Sequence, residues 1–108
     1  MKVGVDLVQV ARISAMSSAA KSKVFHSTEL ANASDEHLAA VFAIKECCKK
    51  IFGAKTSWKS IEVTRSTSGA PQVRLSSSLQ KQVEAIEASA THEQGFAAAV
   101  VVAIERNL

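Results

Sequence analysis

An α+β fold is what this sequence predicts, on three observations. Apolar residues alternate with a period of two in several short stretches, most of them in the C-terminal half. One long stretch in the middle carries the helical period instead. Strands bunched after helices, rather than interleaved with them, argue against a doubly wound parallel sheet. A chain of 108 residues that is 47% hydrophobic and 21% charged suits one domain, residues 1–108, and excludes intrinsic disorder. Aromatics make up only 5%, so the core must be built from Ala, Val, Ile and Leu.

In chain order, residues 3–8 alternate, with Val3, Val5 and Leu7 on one face and Gly4, Asp6 and Val8 on the other, which predicts a strand. Val10, Ile13 and Met16 then fit a helix face. Ser17 to Lys23 is weakly patterned and reads as the end of that helix or a loop. Ser27-Thr28-Glu29-Leu30 has the hydroxyl-then-carboxylate order of a helix start. After a turn at Asn32–Ser34, the strongest helix runs from about Asp35 to Phe52, with Leu38, Val41, Cys48 and Ile51 on one stripe and Gly53 as its stop. Residues 60–64 and 73–75 alternate around a loop, Arg65–Pro71, and predict a hairpin. Leu79, Val83 and Ile86 have helical spacing behind the serines at 76–78. Glu87–Thr91 alternates, His92–Gly95 turns, and Phe96–Glu105 closes the chain as an apolar strand. The predicted order is β-α-α-α-β-β-α-β-β.

The N-terminus is not a secretory signal, because Asp6 interrupts the apolar run. No apolar run reaches the ~20 residues needed to cross a bilayer. A cytoplasmic protein with no membrane association is expected. Cys47 and Cys48 are adjacent and form no disulfide framework or zinc motif. Thirteen basic against ten acidic residues give a net charge of +3, which suits an anionic partner. Few aromatics and no basic run speak against nucleic acid, a reading that rests on charge alone.

On a helical wheel Phe42, Lys45, Glu46, Lys49 and Gly53 fall within an arc of roughly 100°. This is either a solvated face with local ion pairs or a diphosphate site, with Glu46 holding a hard divalent cation and the lysines neutralising phosphate oxygens. Such a cation would take a second carboxylate, and Asp6, alone in an apolar strand, is the candidate. Its other reading is an exposed strand-edge acid. Ser89, Thr91 and His92 gather hydroxyls and an imidazole at a strand end, which serve either as structural groups or as donors to phosphate oxygens. No nucleophile elbow is present.

These blocks together resemble the holo-acyl-carrier-protein synthase family of small 4'-phosphopantetheinyl transferases. Val3 to Ile13 is similar to the family's opening Gly-x-Asp-[Ile/Leu]-Val-[Glu/Asp]-[Ile/Val]-x-Arg pattern, and Val24 to Glu29 to its Val-Phe-Thr-x-x-Glu segment. Phe42 to Gly53 resembles its Phe-Ala-x-Lys-Glu helix. Trp58 to Val63 and Gly69-Ala70-Pro71 resemble its hairpin, and Ser89-x-Thr91-His92 followed by Phe96 to Ala103 its closing strands. The matches keep the family's order and cover nearly the whole chain. No single block is specific, since Lys-Glu on a helix is commonplace; the set is.

The resemblance implies the 4'-phosphopantetheinyl transferase fold, an antiparallel sheet packed on a long central helix. It implies transfer of 4'-phosphopantetheine from coenzyme A to a serine of apo acyl carrier protein, releasing adenosine 3',5'-bisphosphate. Asp6 and Glu46 match the family's Mg²⁺ ligands and Lys49 its phosphate-binding lysine. Coenzyme A is expected against Lys45, Lys49, Gly53, Pro71, Ser89, Thr91 and His92. Arg12 matches a residue that faces the acidic carrier protein. A homotrimer with active sites between subunits is implied. The general base is left between Glu29 and a metal-bound water. Gln9 stands where the family usually has an acid, Lys55 where it often has a glycine, and Phe96 where it has Tyr. The segment before the main helix is shorter than the family's. A non-catalytic subunit of the same fold, holding coenzyme A or carrier protein, is the alternative.

Overall fold

The computed structural model describes residues 1–107. Its organising element is the helix α4, Asp35–Phe52. Ser34 caps it by accepting from the His37 N–H at 3.1 Å, Asp35 and Glu36 sit in its positive first turn, and Lys49 and Lys50 sit in its negative last turn. Leu38, Ala39, Val41, Phe42, Ala43, Ile44, Cys47, Cys48 and Ile51 are all buried, so the helix is enclosed around most of its circumference. Earlier helices α1 (Val10–Ser14), α2 (Ser18–Val24) and α3 (Ser27–Leu30) cover one flank. The weakly patterned stretch after Met16 is thus a helix of its own, capped by Ser17.

One side of α4 packs on an antiparallel sheet of β1 (Lys2–Gln9), β5 (Phe96–Glu105) and β4 (Val83–Glu93), in the order β1-β5-β4. Ala97, Ala99, Val101 and Ala103 of the central strand are buried against the helix. Their small side chains let helix and sheet approach closely. Gly4 marks the tightest point: a Cβ there would lie 2.5 Å from the Cys47 carbonyl oxygen, closer than backbone atoms can yield. Gly4, Asp6 and Val8 face the helix, which leaves Val3, Val5 and Leu7 on the outer face, 57%, 63% and 65% exposed.

A second, two-stranded sheet pairs β2 (Ile61–Arg65) with β3 (Pro71–Leu75), so the hairpin is found where the sequence predicts it. The predicted helix through Leu79, Val83 and Ile86 is corrected. Only Ser77–Gln80 is helical (α5), and Val83 already begins β4. A register shift between Val83 and Ala85 inserts one extra residue. That bulge turns Val83 and Ile86, three apart, to the same side and imitates helical spacing. The last turn is also shorter than predicted. Glu93 pairs with Phe96, and Gln94 (φ 50°) and Gly95 (φ 82°) alone make the turn. Two consecutive positive φ values match the twist of a hairpin, and glycine accommodates one without steric cost. His92 therefore lies within the strand.

Candidate functional site

Asp6 and Glu46 reach one neighbourhood from two elements. Asp6 lies two residues beyond Gly4 on the face of β1 that packs on α4, and Glu46 precedes Cys47 on that helix. Both carboxylates act on the buried Cys47 thiol: burial pushes its pKa up to about 11, the carboxylates of Asp6 and Glu46 push the same way, and the Lys50 ammonium opposes them. Asp6 is 16% exposed and accepts from Lys50 Nζ at 3.2 Å. Lys50 also donates to the Val5 carbonyl oxygen at 2.6 Å, which ties the helix end to the sheet edge. Glu46 has no cationic partner within 4.0 Å among the described residues. Two hard carboxylates, which belong to no metal-holding group of three or more His, Cys, Asp or Glu among the described residues, fit the donor set of a divalent cation that completes its shell with phosphate and water.

Beside this pair, Lys49 lies over the Trp58 ring, its ammonium 3.9 Å from the ring centre. Trp58 stacks on Phe42 at 5.2 Å, and the Arg12 guanidinium lies 5.0 Å from the Phe42 ring centre. Gly53 follows the helix and donates its N–H to the Lys49 carbonyl at 2.8 Å.

Lys45 is the correction. The helical wheel puts it with Lys49, but its side chain is 0% exposed and ion-paired at 2.7 Å with Glu29, itself 0% exposed. Its Nζ also donates to the carbonyl oxygens of Val24 at 2.8 Å and Trp58 at 3.4 Å. Burial lowers the Lys45 pKa, and the Glu29 carboxylate opposes that shift. Every donor direction of Lys45 is directed into the protein, so it has no face for a cofactor. Glu29 is equally committed: Oε1 also accepts from the His26 N–H at 2.7 Å, and Oε2 from the Val63 N–H at 2.7 Å. Its side chain ties α3 to α4 and to β2, the place of a structural carboxylate.

On the other side of α4 a cleft of 740 Å³ opens between α3, α4, the β2–β3 hairpin and β4. Pro71, Thr91 and His92 line it, together with His37 and Arg65, which the sequence reading missed. The pairing of Arg65 with Pro71 across the hairpin was the available signal. Ser89 and Thr91 point to the outer face of the sheet, whereas His92, one residue on, pairs with Ala97 and points inward. The three residues thus divide between two faces, and the chain by itself does not bring them to Asp6 and Glu46.

Arg65 hydrogen-bonds His37 Nδ1. Burial first, then the Arg65 charge, holds the His37 pKa below its usual 6.5; His92 adds to this and Glu29 opposes it. The unfolded chain therefore takes up its proton before the folded one as pH falls. His37 has no effect on stability well above pH 6.5, destabilises progressively below it, and exerts its full cost below the folded-state pKa. The difference in melting temperature between wild type and His37→Asn is expected to change in that direction across this window. A pH-independent difference overturns the assignment.

Residues 2–102 match the family model described as the 4'-phosphopantetheinyl transferase superfamily. A holo-[acyl-carrier-protein] synthase of Campylobacter fetus is 32% identical over 111 residues, covering 93% of this chain and 96% of the relative. One from Helicobacter pylori is 31% identical, covering 97% and 98%. Among solved structures, the Helicobacter pylori holo-[acyl-carrier-protein] synthase in complex with coenzyme A superimposes with a TM-score of 0.85 at 30% identity, covering 94% of this chain and 99% of that one. The Neisseria meningitidis synthase, at 24% identity and a TM-score of 0.83, shares the fold. Sequence blocks, antiparallel sheet and central helix converge on one conclusion: the chain belongs to the holo-acyl-carrier-protein synthase family, enzymes of the 4'-phosphopantetheinyl transferase superfamily.

Proposed function

We propose that this chain transfers 4'-phosphopantetheine from coenzyme A to a serine of apo acyl carrier protein, with Mg²⁺. The serine oxygen forms a bond to the phosphorus that bears the pantetheine, and the bond from that phosphorus to the bridging oxygen breaks. Adenosine 3',5'-bisphosphate leaves and the hydroxyl proton passes to a base. The observation that carries this reading is the packing of the β1 face that bears Asp6 on α4, which bears Glu46, beside an ammonium, Lys49, that meets a ring face and no carboxylate among the described residues. Mg²⁺ bound by Asp6 and Glu46 would neutralise the diphosphate. Lys49 is placed to donate to the leaving bisphosphate, so that positioning and charge supply most of the catalysis. Pro71 and His92 serve coenzyme A from the cleft, and Ser89 and Thr91 from the outer sheet face. The test is incubation with coenzyme A, Mg²⁺ and apo carrier proteins of fatty-acid or polyketide synthesis, followed by weighing of the carrier. A gain of one phosphopantetheine supports the reading. Coenzyme A binding without that gain overturns it in favour of a non-catalytic binding subunit.

The reading includes a homotrimer. Val3, Val5 and Leu7 on β1 and Ala98, Val100 and Val102 on β5 make an apolar outer face that this chain leaves uncovered. Copies packed there would bring Ser89 and Thr91 of one subunit toward the carboxylates of the next. Light scattering at micromolar concentration is expected to give the mass of a trimer, and a monomer counts against shared sites.

Arg12 is proposed to meet an acidic helix of the carrier protein. Its guanidinium is exposed and has no carboxylate partner among the described residues. Arg12→Glu places like charges face to face and is expected to raise the KM for carrier protein by about tenfold or more. The KM for coenzyme A should stay near wild type. Added salt should weaken carrier binding to the wild type, since exposed charges are screened over ~10 Å at 0.1 M. Equal losses for both substrates would place Arg12 elsewhere.

A further inference from the structure

Two kinds of partner meet cations of this molecule, carboxylates and aromatic ring faces, and Lys45 meets both. Lys2, Lys21, Lys45 and Lys50 each have a carboxylate within 4.0 Å. Lys49 and Arg12 have none among the described residues, and each lies instead on the face of an aromatic ring. The difference matters chemically. A carboxylate neutralises an ammonium and occupies its N–H donors. A ring face attracts the same charge through its quadrupole but leaves it net positive, with donors free on the side away from the ring.

The ring beneath Lys49 is itself fixed. Trp58 stacks on Phe42, which is buried and packs against Phe25 with ring centres 6.4 Å apart. The Trp58 carbonyl oxygen accepts from Lys45, the neighbouring Lys59 Nζ donates to the Phe25 carbonyl oxygen at 2.7 Å, and Ser57 accepts from the Lys59 N–H. A free lysine side chain samples many rotamers and must be ordered when it grips a phosphate. Lying 3.9 Å from a fixed ring, Lys49 is ordered beforehand.

We propose that Trp58 is a positioning residue: its ring, backed by Phe42, holds the Lys49 ammonium oriented for the diphosphate of coenzyme A. This rests on the transferase reading of Lys49, and the test separates the two. Trp58 is the single tryptophan of the chain, so growth on fluorinated tryptophans alters only this ring. Fluorine withdraws π-electron density with little change of shape. Coenzyme A affinity of the full-length protein, measured by calorimetry, is expected to fall stepwise as the number of fluorines rises. Trp58→Leu should weaken binding by about three- to tenfold, and Trp58→Phe should recover part of that loss. On a Lys49→Met background the fluorine series should be flat, because no ammonium remains to be held. That non-additivity is not expected of a ring that serves only to fill space. Affinity independent of fluorination in the wild type, or an equal slope with Lys49→Met, overturns the positioning role while leaving the transferase reading intact. No coenzyme A binding by the unlabelled wild type overturns the transferase reading, and this inference with it.

Discussion

Asp6→Ala and Glu46→Ala are each expected to lower transfer to carrier protein by a hundred- to a thousandfold, roughly 3–4 kcal/mol of transition-state stabilisation. Each removes one of two anionic donors proposed to hold Mg²⁺ against the diphosphate, and neutral alanine offers nothing in exchange. The fold should survive both changes. Among the described residues Asp6 pairs only with Lys50, whose side chain is 52% exposed and can return to water. Such a pair contributes at most about 1 kcal/mol. Glu46 has no ion pair to lose among the described residues. Melting temperatures near wild type, with activity nearly gone and the residual rate insensitive to added Mg²⁺, are the expected pattern. Full activity in either variant would refute the metal assignment.

Lys45→Met and Glu29→Gln should do the opposite, damaging stability while sparing the chemistry. Removing one partner of a buried pair leaves the other charge or its donors uncompensated, which costs about 3–5 kcal/mol. For a chain of this size that lowers the melting temperature by roughly 15 °C or more. The pair joins α4 to the chain around Val24 and His26, to the Trp58 turn and to β2, so its loss loosens one whole flank. Lys45→Met with Glu29→Leu should be less destabilised than the sum of the single changes. Rescue stays incomplete, because the N–H groups of His26 and Val63 remain without an acceptor. At temperatures where Lys45→Met is folded, the KM for coenzyme A should rise far less than with Lys49→Met, because only a backbone anchor of the Trp58 turn is lost. A rise as large as that of Lys49→Met at unchanged stability would return Lys45 to the cofactor site.

The long helix, the hairpin and the apolar last strand were legible because each is written locally, in a cap, a period and a stop. The helix through Val83 and Ile86 was misread because one inserted residue in a strand gives the same three-residue spacing as a helical turn, and only pairing with β5 tells them apart. The site divides in the same way. Residue type and order along the chain were enough to single out Asp6, Glu46, Lys45 and Lys49, whereas the role of Arg12 came only from the resemblance to a known family, which rests on blocks spread along the whole chain. Nothing in residues 42–53 distinguishes Lys45 from Lys49, which lie one turn apart on the same arc. Their fates diverge because α2, α3 and the Trp58 turn close over Lys45 and supply Glu29 from sixteen positions away, whereas Lys49, one turn nearer the helix end, is left with a ring face. Whether a lysine becomes an internal strut or a free charge depends on what the rest of the chain packs against it, and that is decided by tertiary structure, where burial penalises a charge unless a partner meets it.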